Sequence, residues 1–258
     1  MMNILVTNDD GVTAPGLEAL SEAVKGFGNL TIVAPDSERS AASHSITLFD
    51  PLNVNQISMN GHIAWSCSGT PVDCVKIALT ELMDPLPDLV VSGINRGSNT
   101  GQNILYSGTV SAAVESMFSG IPAIAFSITS WEVDDYAPAK TIARQITEKM
   151  LELGLPKNLV LNVNIPPIPL KDIKGMRFTR QSLSRYDDFY HKEGEPPMQQ
   201  FRLDGSLETI RDEDGNDDQC VEDGWVSMTP LQFNLTDQKM YKHLKTTGSD
   251  IQEKKESE

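Results

Sequence analysis

Two adjacent carboxylates, Asp9 and Asp10, sit in the run Thr7-Asn8-Asp9-Asp10-Gly11, directly after an apolar stretch. Side by side without a cation they repel, and one pKa must rise. A hard divalent cation removes that conflict and takes oxygen ligands. A tight turn is the alternative, since Asp-Gly favours turns. A second cluster runs Pro35-Asp36-Ser37-Glu38-Arg39-Ser40-Ala41-Ala42-Ser43-His44-Ser45. It offers hydroxyl oxygens at Ser40, Ser43 and Ser45 and a guanidinium at Arg39 that can face an anion; an ordinary polar loop is the other reading. A third cluster, Ser92 to Gly101, brings neutral oxygens at Asn95 and Asn99 among glycines that permit close backbone approach. It continues to Tyr106-Ser107-Gly108-Thr109, where a helix opens. The free N–H groups and positive dipole end of such a helix make a phosphate site without Lys. Simple N-capping by Ser107 or Thr109 is a compatible alternative.

These residues need a scaffold that brings them to one place. Asn3–Thr7, Leu30–Ala34, Asp88–Ser92, Pro122–Ser127 and Leu159–Ile165 are short continuous apolar runs, read as core strands. Between them, helical spacing recurs at Leu17, Leu20, Val24 and Phe27, at Val75, Ala78, Leu79 and Leu82, at Val110, Ala113, Val114, Met117 and Phe118, and at Ile142, Ile146, Met150 and Leu153. Strands alternating with helices predict an α/β fold with a doubly wound, mostly parallel sheet covered on both faces. Such sheets bind ligands beyond the carboxyl ends of their strands, where all three clusters fall. Thr70, Pro71 and Asp73 resemble a capping box that starts a helix. Two runs flanking Met59-Asn60-Gly61 read as a hairpin, and residues 93–108 as a loop. After Pro166-Pro167 the character changes to turn clusters and short strands near Met176–Arg180 and Trp225–Thr229. The expected organisation is a catalytic core over residues 1–167, a β-rich arm over 168–248 and a frayed tail over 249–258.

The net charge of −15 over 258 residues excludes an electrostatically driven nucleic-acid binder. The first 130 residues hold only Lys25, Arg39, Lys76 and Arg96 as cations, so an anion there must rely on backbone N–H groups and a bound metal. No stretch reaches the ~20 apolar residues of a membrane span, and the N-terminus lacks the features of a signal peptide. Cys67, Cys74 and Cys220 form no CxxC pair and suit buried thiols in a reducing cytoplasm. His44 is expected to be a solvated loop histidine and Lys76 a solvated or snorkelling side chain. The four histidines share no metal-site spacing.

Taken together, ILVTNDDGVTAPGL, IVAPDSERSAAS, SGTPVDCV, DLVVSGINRGSNTGQNILYSGTVSAA and IPAIAFS closely resemble the SurE nucleotidases, also called survival proteins. The matching runs cover about half the chain, in order; LNVNIP, KGMRFTR and WVSMTPL resemble the family more loosely, and residues 186–222 match it less clearly. The resemblance implies a Rossmann-like core with a C-terminal oligomerisation arm, a homodimer or homotetramer, and hydrolysis of nucleoside 5′- and 3′-monophosphates, with short polyphosphate as a further substrate. It implies one divalent ion per subunit, Mg2+ or Mn2+, on Asp9, Asp10, the Ser40 hydroxyl and the Asn95 side-chain oxygen. Asn99, Ser107, Gly108 and Thr109 would line the phosphate pocket. Asp9 or Asp10 would orient the attacking water or take its proton, with the N–H groups of Gly108 and Thr109 on the phosphoryl oxygens.

Three rivals fit less well. A signalling receiver domain needs a phospho-accepting Asp at the end of a later strand, where this chain has Ser92 and Gly93. A phosphatase of the haloacid dehalogenase type needs a D-x-D run, whereas these acids are adjacent. A non-catalytic nucleotide-binding module would show GxGxxG or a P-loop, and neither is present.

Overall fold

The computed structural model describes residues 1–59, 61–212 and 215–247. Strand β1 (Met2–Thr7) shows why its sequence is apolar at successive positions: Ile4 and Val6 pack into one apolar cluster and Leu5 into another. Each face of the sheet is therefore covered. Helix α1 (Pro15–Val24) packs on the Ile4/Val6 face through Leu17, Leu20 and Val24. After strand β2 (Gly28–Pro35) the chain forms the antiparallel hairpin β3 (Val54–Met59) and β4 (His62–Cys67), with Met59 opposite His62. Asn60 of the expected turn lies outside the described residues.

Helix α2 (Pro71–Ile77) starts on the expected capping box: Thr70 accepts from the Asp73 N–H, and the Asp73 carboxylate accepts from the Thr70 N–H at 2.9 Å. Strand β5 (Leu89–Arg96), helix α3 (Gly108–Phe118), strand β6 (Ala123–Ile128), helix α4 (Ala137–Leu153) and strand β7 (Val160–Ile165) follow. Ile142, Ile146 and Met150 of α4 join the α1 face, while Val110, Ala113 and Val114 of α3 join Val75 of α2 on the other. The sheet order is β3-β4-β2-β1-β5-β6-β7, and β2, β1, β5, β6 and β7 are mutually parallel. From β1 the chain winds outward to β2 and then returns to the other side at β5. The carboxyl ends of β1 and β5 thus form the switch-point crevice where such sheets bind ligands.

Two expectations need correction. First, the polar segment after Ser92 is not loop from its start. Strand β5 continues to Arg96 and resumes pairing with β6 at Asn95↔Ser127 after a register shift. Gly93 permits this: its φ is +123°, and a Cβ there would lie 2.2 Å from the Phe126 carbonyl oxygen. Second, the sheet does not stop at residue 167. Strand β8 (Met176–Phe178) and strand β11 (Val226–Leu231) extend it as β7-β11-β8, with β11 antiparallel to β7. Without β11, the outer edge of β7 would present unpaired N–H and C=O groups. What stands apart as an arm is the ribbon of β9 (Arg185–Glu193) and β10 (Gln200–Glu208), a separate two-stranded sheet.

Between β10 and β11 lies the short helix α5 (Asp217–Glu222), and helix α6 (Gln238–Thr247) ends the described chain with no buried residue. The tail expected at 249–258 lies outside the described residues, as do Glu213 and Asp214 of the acidic turn cluster. Among the described residues no helix is long and apolar enough to cross a membrane. Cys67, Cys74 and Cys220 are all free and buried.

Candidate active site

The turn after β1 is built by Asn8 and Gly11, which leaves the two acids between them free. The Asn8 amide donates to the Gly11 carbonyl at 3.0 Å, and the Gly11 N–H donates back to Asn8 Oδ1 at 3.2 Å. Asp9 is 6% exposed, and the Thr109 hydroxyl donates to its Oδ1. Burial pushes the Asp9 carboxyl up to about 6, against the Thr109 hydrogen bond, and the neighbouring Asp10 raises it further. Asp10 is also raised, first by burial; Arg96 opposes that and Glu38 adds to it. The nearest recorded cation, Arg96 Nη2, stands 3.7 Å from Asp10 and 3.7 Å from Glu38.

The loop that carries Ser40 is stitched to its surroundings. The Arg39 N–H donates to the Asp9 carbonyl at 2.8 Å, and Ser43 bonds the carbonyls of Leu105 and Tyr106. Thr47 binds the Asp73 carboxylate. Its histidine is exposed, as expected, and also reaches the core: His44 Nε2 lies 2.9 Å from Glu115 Oε2, and Lys76 Nζ lies 2.6 Å from Glu115 Oε1. A buried acid on α3 therefore collects both side chains and holds the loop against that helix. The hydrogen bond from His44, above all, and that from Lys76 keep the Glu115 carboxyl below its ordinary value despite burial. Arg39, expected to be able to face an anion, instead bonds the Ser68 carbonyl at 2.7 Å and Asp36.

Asp9, Ser40, Asn95, Asn99 and Ser107 line one cavity of about 550 Å³. Asp10, Gly108 and Thr109 are not among its lining residues. Thr109 departs from the phosphate role expected of it, because it is fully buried and turns both its hydroxyl and its N–H towards Asp9. Gly108 brings the start of α3 against that same acid, and a Cβ on it would lie 2.8 Å from the Asp9 Cβ. Ser107 is the N-cap, accepting from the Val110 N–H at 3.1 Å. Asn99 is clamped by Ser127, Asn162 and Asn164, whose side chains bond its amide or its backbone. Those buried asparagines in an apolar strand were the signal for this clamp.

The donor set suits a hard divalent cation. Among the described residues no three His, Cys, Asp or Glu side chains are placed to hold a metal, so an ion here would rest on two carboxylates and neutral oxygens. Both carboxylates are desolvated, and Arg96 at 3.7 Å from Asp10 only partly opposes this, a deficit that a metal would correct. The Asn95 amide nitrogen donates to the Gly97 carbonyl at 3.0 Å, which leaves its oxygen as the ligating atom. Glu38 accepts from the Ser40 hydroxyl and leaves that oxygen's lone pairs free.

Metal-free protein carries a pH signature of this site. Because the folded Asp9 carboxyl titrates near 6 and its ordinary value is 3.8, the neutral form favours folding. That contribution, about 3 kcal/mol, is present below about pH 4 and lost as pH rises through 6. Urea unfolding in EDTA should therefore show a steeper loss of stability from about pH 4 to 7 in the wild type than in Asp9→Asn. Equal slopes would contradict the buried, unpaired state of this acid.

Another part of the cavity wall was not legible as part of a site. It comprises Arg96, Tyr106 and Trp131 of the core and Tyr186, Asp188, Leu203, Asp204 and Gly205 of the β9–β10 ribbon. Asn103 Nδ2 lies 3.3 Å from the Tyr186 hydroxyl and links ribbon to core. Arg96 and Tyr106 stood inside the loop clusters already singled out, whereas the ribbon residues lie far along the chain without a motif.

Comparisons with known proteins show the family. The family model described as "Survival protein SurE" matches residues 4–188. The "5'-nucleotidase SurE" of Christiangramia forsetii is 44% identical over 238 residues, covering 90% of this chain and 92% of that protein. That of Chlorobaculum tepidum is 41% identical over 251 residues, covering 95% and 94%. The crystal structure of the SurE protein from Aquifex aeolicus superposes with a TM-score of 0.84 at 38% identity, covering 95% of this chain and 99% of that one.

Proposed function

The chain belongs to the Survival protein SurE family, and from that premise we propose that it is a divalent-metal-dependent 5′-nucleotidase. One observation carries the reading: the desolvated Asp9 carboxylate, gripped by Thr109, opens into a cavity it shares with Ser40, Asn95 and Ser107. Asp9, Asp10, Ser40 and Asn95 would hold one Mg2+ or Mn2+. That ion, when bound, polarises a phosphoryl oxygen and lowers the pKa of water. Asn99 and Ser107 seat the phosphate, and Arg96 adds a guanidinium at the cavity wall. Asp9 or Asp10 orients a water and accepts its proton. The water oxygen bonds to phosphorus, the ester P–O bond breaks, and the nucleoside oxygen leaves with a proton. The same phosphate end accepts 3′-monophosphates and short polyphosphate.

The test is phosphate release from a panel of nucleoside 5′- and 3′-monophosphates and tripolyphosphate, with Mn2+, with Mg2+ and with EDTA. Release that EDTA abolishes supports the proposal. No release from any substrate with any metal, in folded protein, moves the function towards binding or sensing. A homodimer or homotetramer in the cytoplasm completes the reading. It is supported by the free cysteines and by Phe189, Tyr190, Phe201 and Leu203, which leave apolar surface on the ribbon. A light-scattering mass of one chain would contradict the oligomer.

A further inference from the structure

We propose that Trp131 is the nucleobase platform of this site, a specificity-determining residue that makes the enzyme prefer aromatic-base nucleotides, purines above pyrimidines, to baseless phosphate esters. The inference rests on the nucleotidase reading and adds what the far end of the cavity recognises.

Trp131 follows β6 and lines the same cavity as Asp9 and Asn95. It is 75% exposed, unusual for the largest apolar side chain unless one face is kept for a partner. The other face is already seated. A Cβ built on Gly97 would lie 3.0 Å from Cη2, 3.0 Å from Cζ2 and 3.1 Å from Cζ3 of Trp131. A point equidistant from three consecutive atoms of a six-membered ring lies over its face, so the Gly97 backbone backs the indole and leaves the opposite face open. Only glycine fits there, since its φ is also +101°.

The platform is fixed relative to the acids. The Gly97 N–H is shared between the carbonyls of Ile128 and Ser130, both at 2.9 Å, which ties the Trp131 loop to β5. Ser130 and Glu132 close the turn around the tryptophan through two further hydrogen bonds. The Gly97 carbonyl in turn orients Asn95. One residue thus joins the proposed metal end of the cavity to its aromatic end. A nucleoside monophosphate has the same polarity: an anion at one end and a flat π-system at the other. Its base can stack on the open indole face, and a purine offers the larger overlap.

The test compares Trp131→Ala and Trp131→Phe with wild type on AMP, CMP and ribose 5-phosphate, which carries sugar and phosphate without a base. The expected result is a KM for AMP raised roughly tenfold in Trp131→Ala, a smaller rise for CMP, little change in kcat, no change for ribose 5-phosphate, and recovery in Trp131→Phe. Equal losses on AMP and ribose 5-phosphate, or no loss on either, would overturn the platform. Calorimetric AMP binding in EDTA separates the two readings. Weaker binding in Trp131→Ala supports the platform even if the wild type hydrolyses nothing, an outcome that sinks the nucleotidase reading alone; unchanged binding overturns the platform even in an active enzyme.

Discussion

Asp9→Asn is expected to remove phosphate release almost entirely, by roughly a thousandfold or more, while leaving the protein folded. Residues that merely orient a metal ligand cost about 10–100-fold when changed. Asp9 stands closer to the chemistry than that, as a buried carboxylate that lines the cavity beside Ser40 and Asn95. The change is nearly isosteric, and the neutral amide suits a position where burial already disfavours charge. Stability in EDTA should therefore hold or rise at neutral pH while activity falls. Asp10→Asn should lose activity as well, but with a different accompaniment: it removes a charge that Arg96 faces at 3.7 Å. Phosphate release with Mn2+, alongside the melting temperature of each variant, separates these outcomes. Release within about tenfold of wild type in Asp9→Asn would remove this acid from the proposed ligand set.

The second large effect is on stability. Gly93→Ala should destabilise the fold by about 3 kcal/mol or more, since it combines a strained positive φ with a Cβ 2.2 Å from the Phe126 carbonyl oxygen. The obstructing atom is backbone in the adjacent strand β6, so no side-chain rotation relieves it. For a chain of this size the melting temperature should fall by about 10 °C. Asn95, which re-enters the sheet just after the register shift, should move with it, and activity should fall further than stability alone requires. A melting temperature within about 2 °C of wild type would show that β5 can slide to accommodate the methyl group.

These two positions also show how unevenly the structure was written into the chain. The Asp9-Asp10 pair after an apolar strand was legible because local order places it: a buried parallel strand must end in a loop at the ligand edge. The capping box at Thr70 and Asp73 was equally local, three residues apart. Gly93 was visible as a glycine, but its purpose lies in the carbonyl of Phe126, more than thirty residues away in sequence. His44 and Lys76 are the surface side chains that their sequence suggests, but nothing near them in sequence reveals that both pair with Glu115. Thr109 was placed on phosphate because a helix start offers N–H groups to any anion; packing decided that the anion is Asp9.

By itself, the sequence determined the core strands and helices before residue 167, the two-sided parallel sheet and the acid pair at its carboxyl edge, since periodicity and turn chemistry act over a few residues. The resemblance added a family and its expected ligands. Tertiary structure alone decided that β11 and β8 complete the sheet beyond β7, that the ribbon walls the cavity, and that Gly97 sets Trp131 within reach of Asn95. The physical reason is the same in each case. Strand edges must be paired and polar groups satisfied by whichever partner the fold brings near, and those partners lie far apart along the chain.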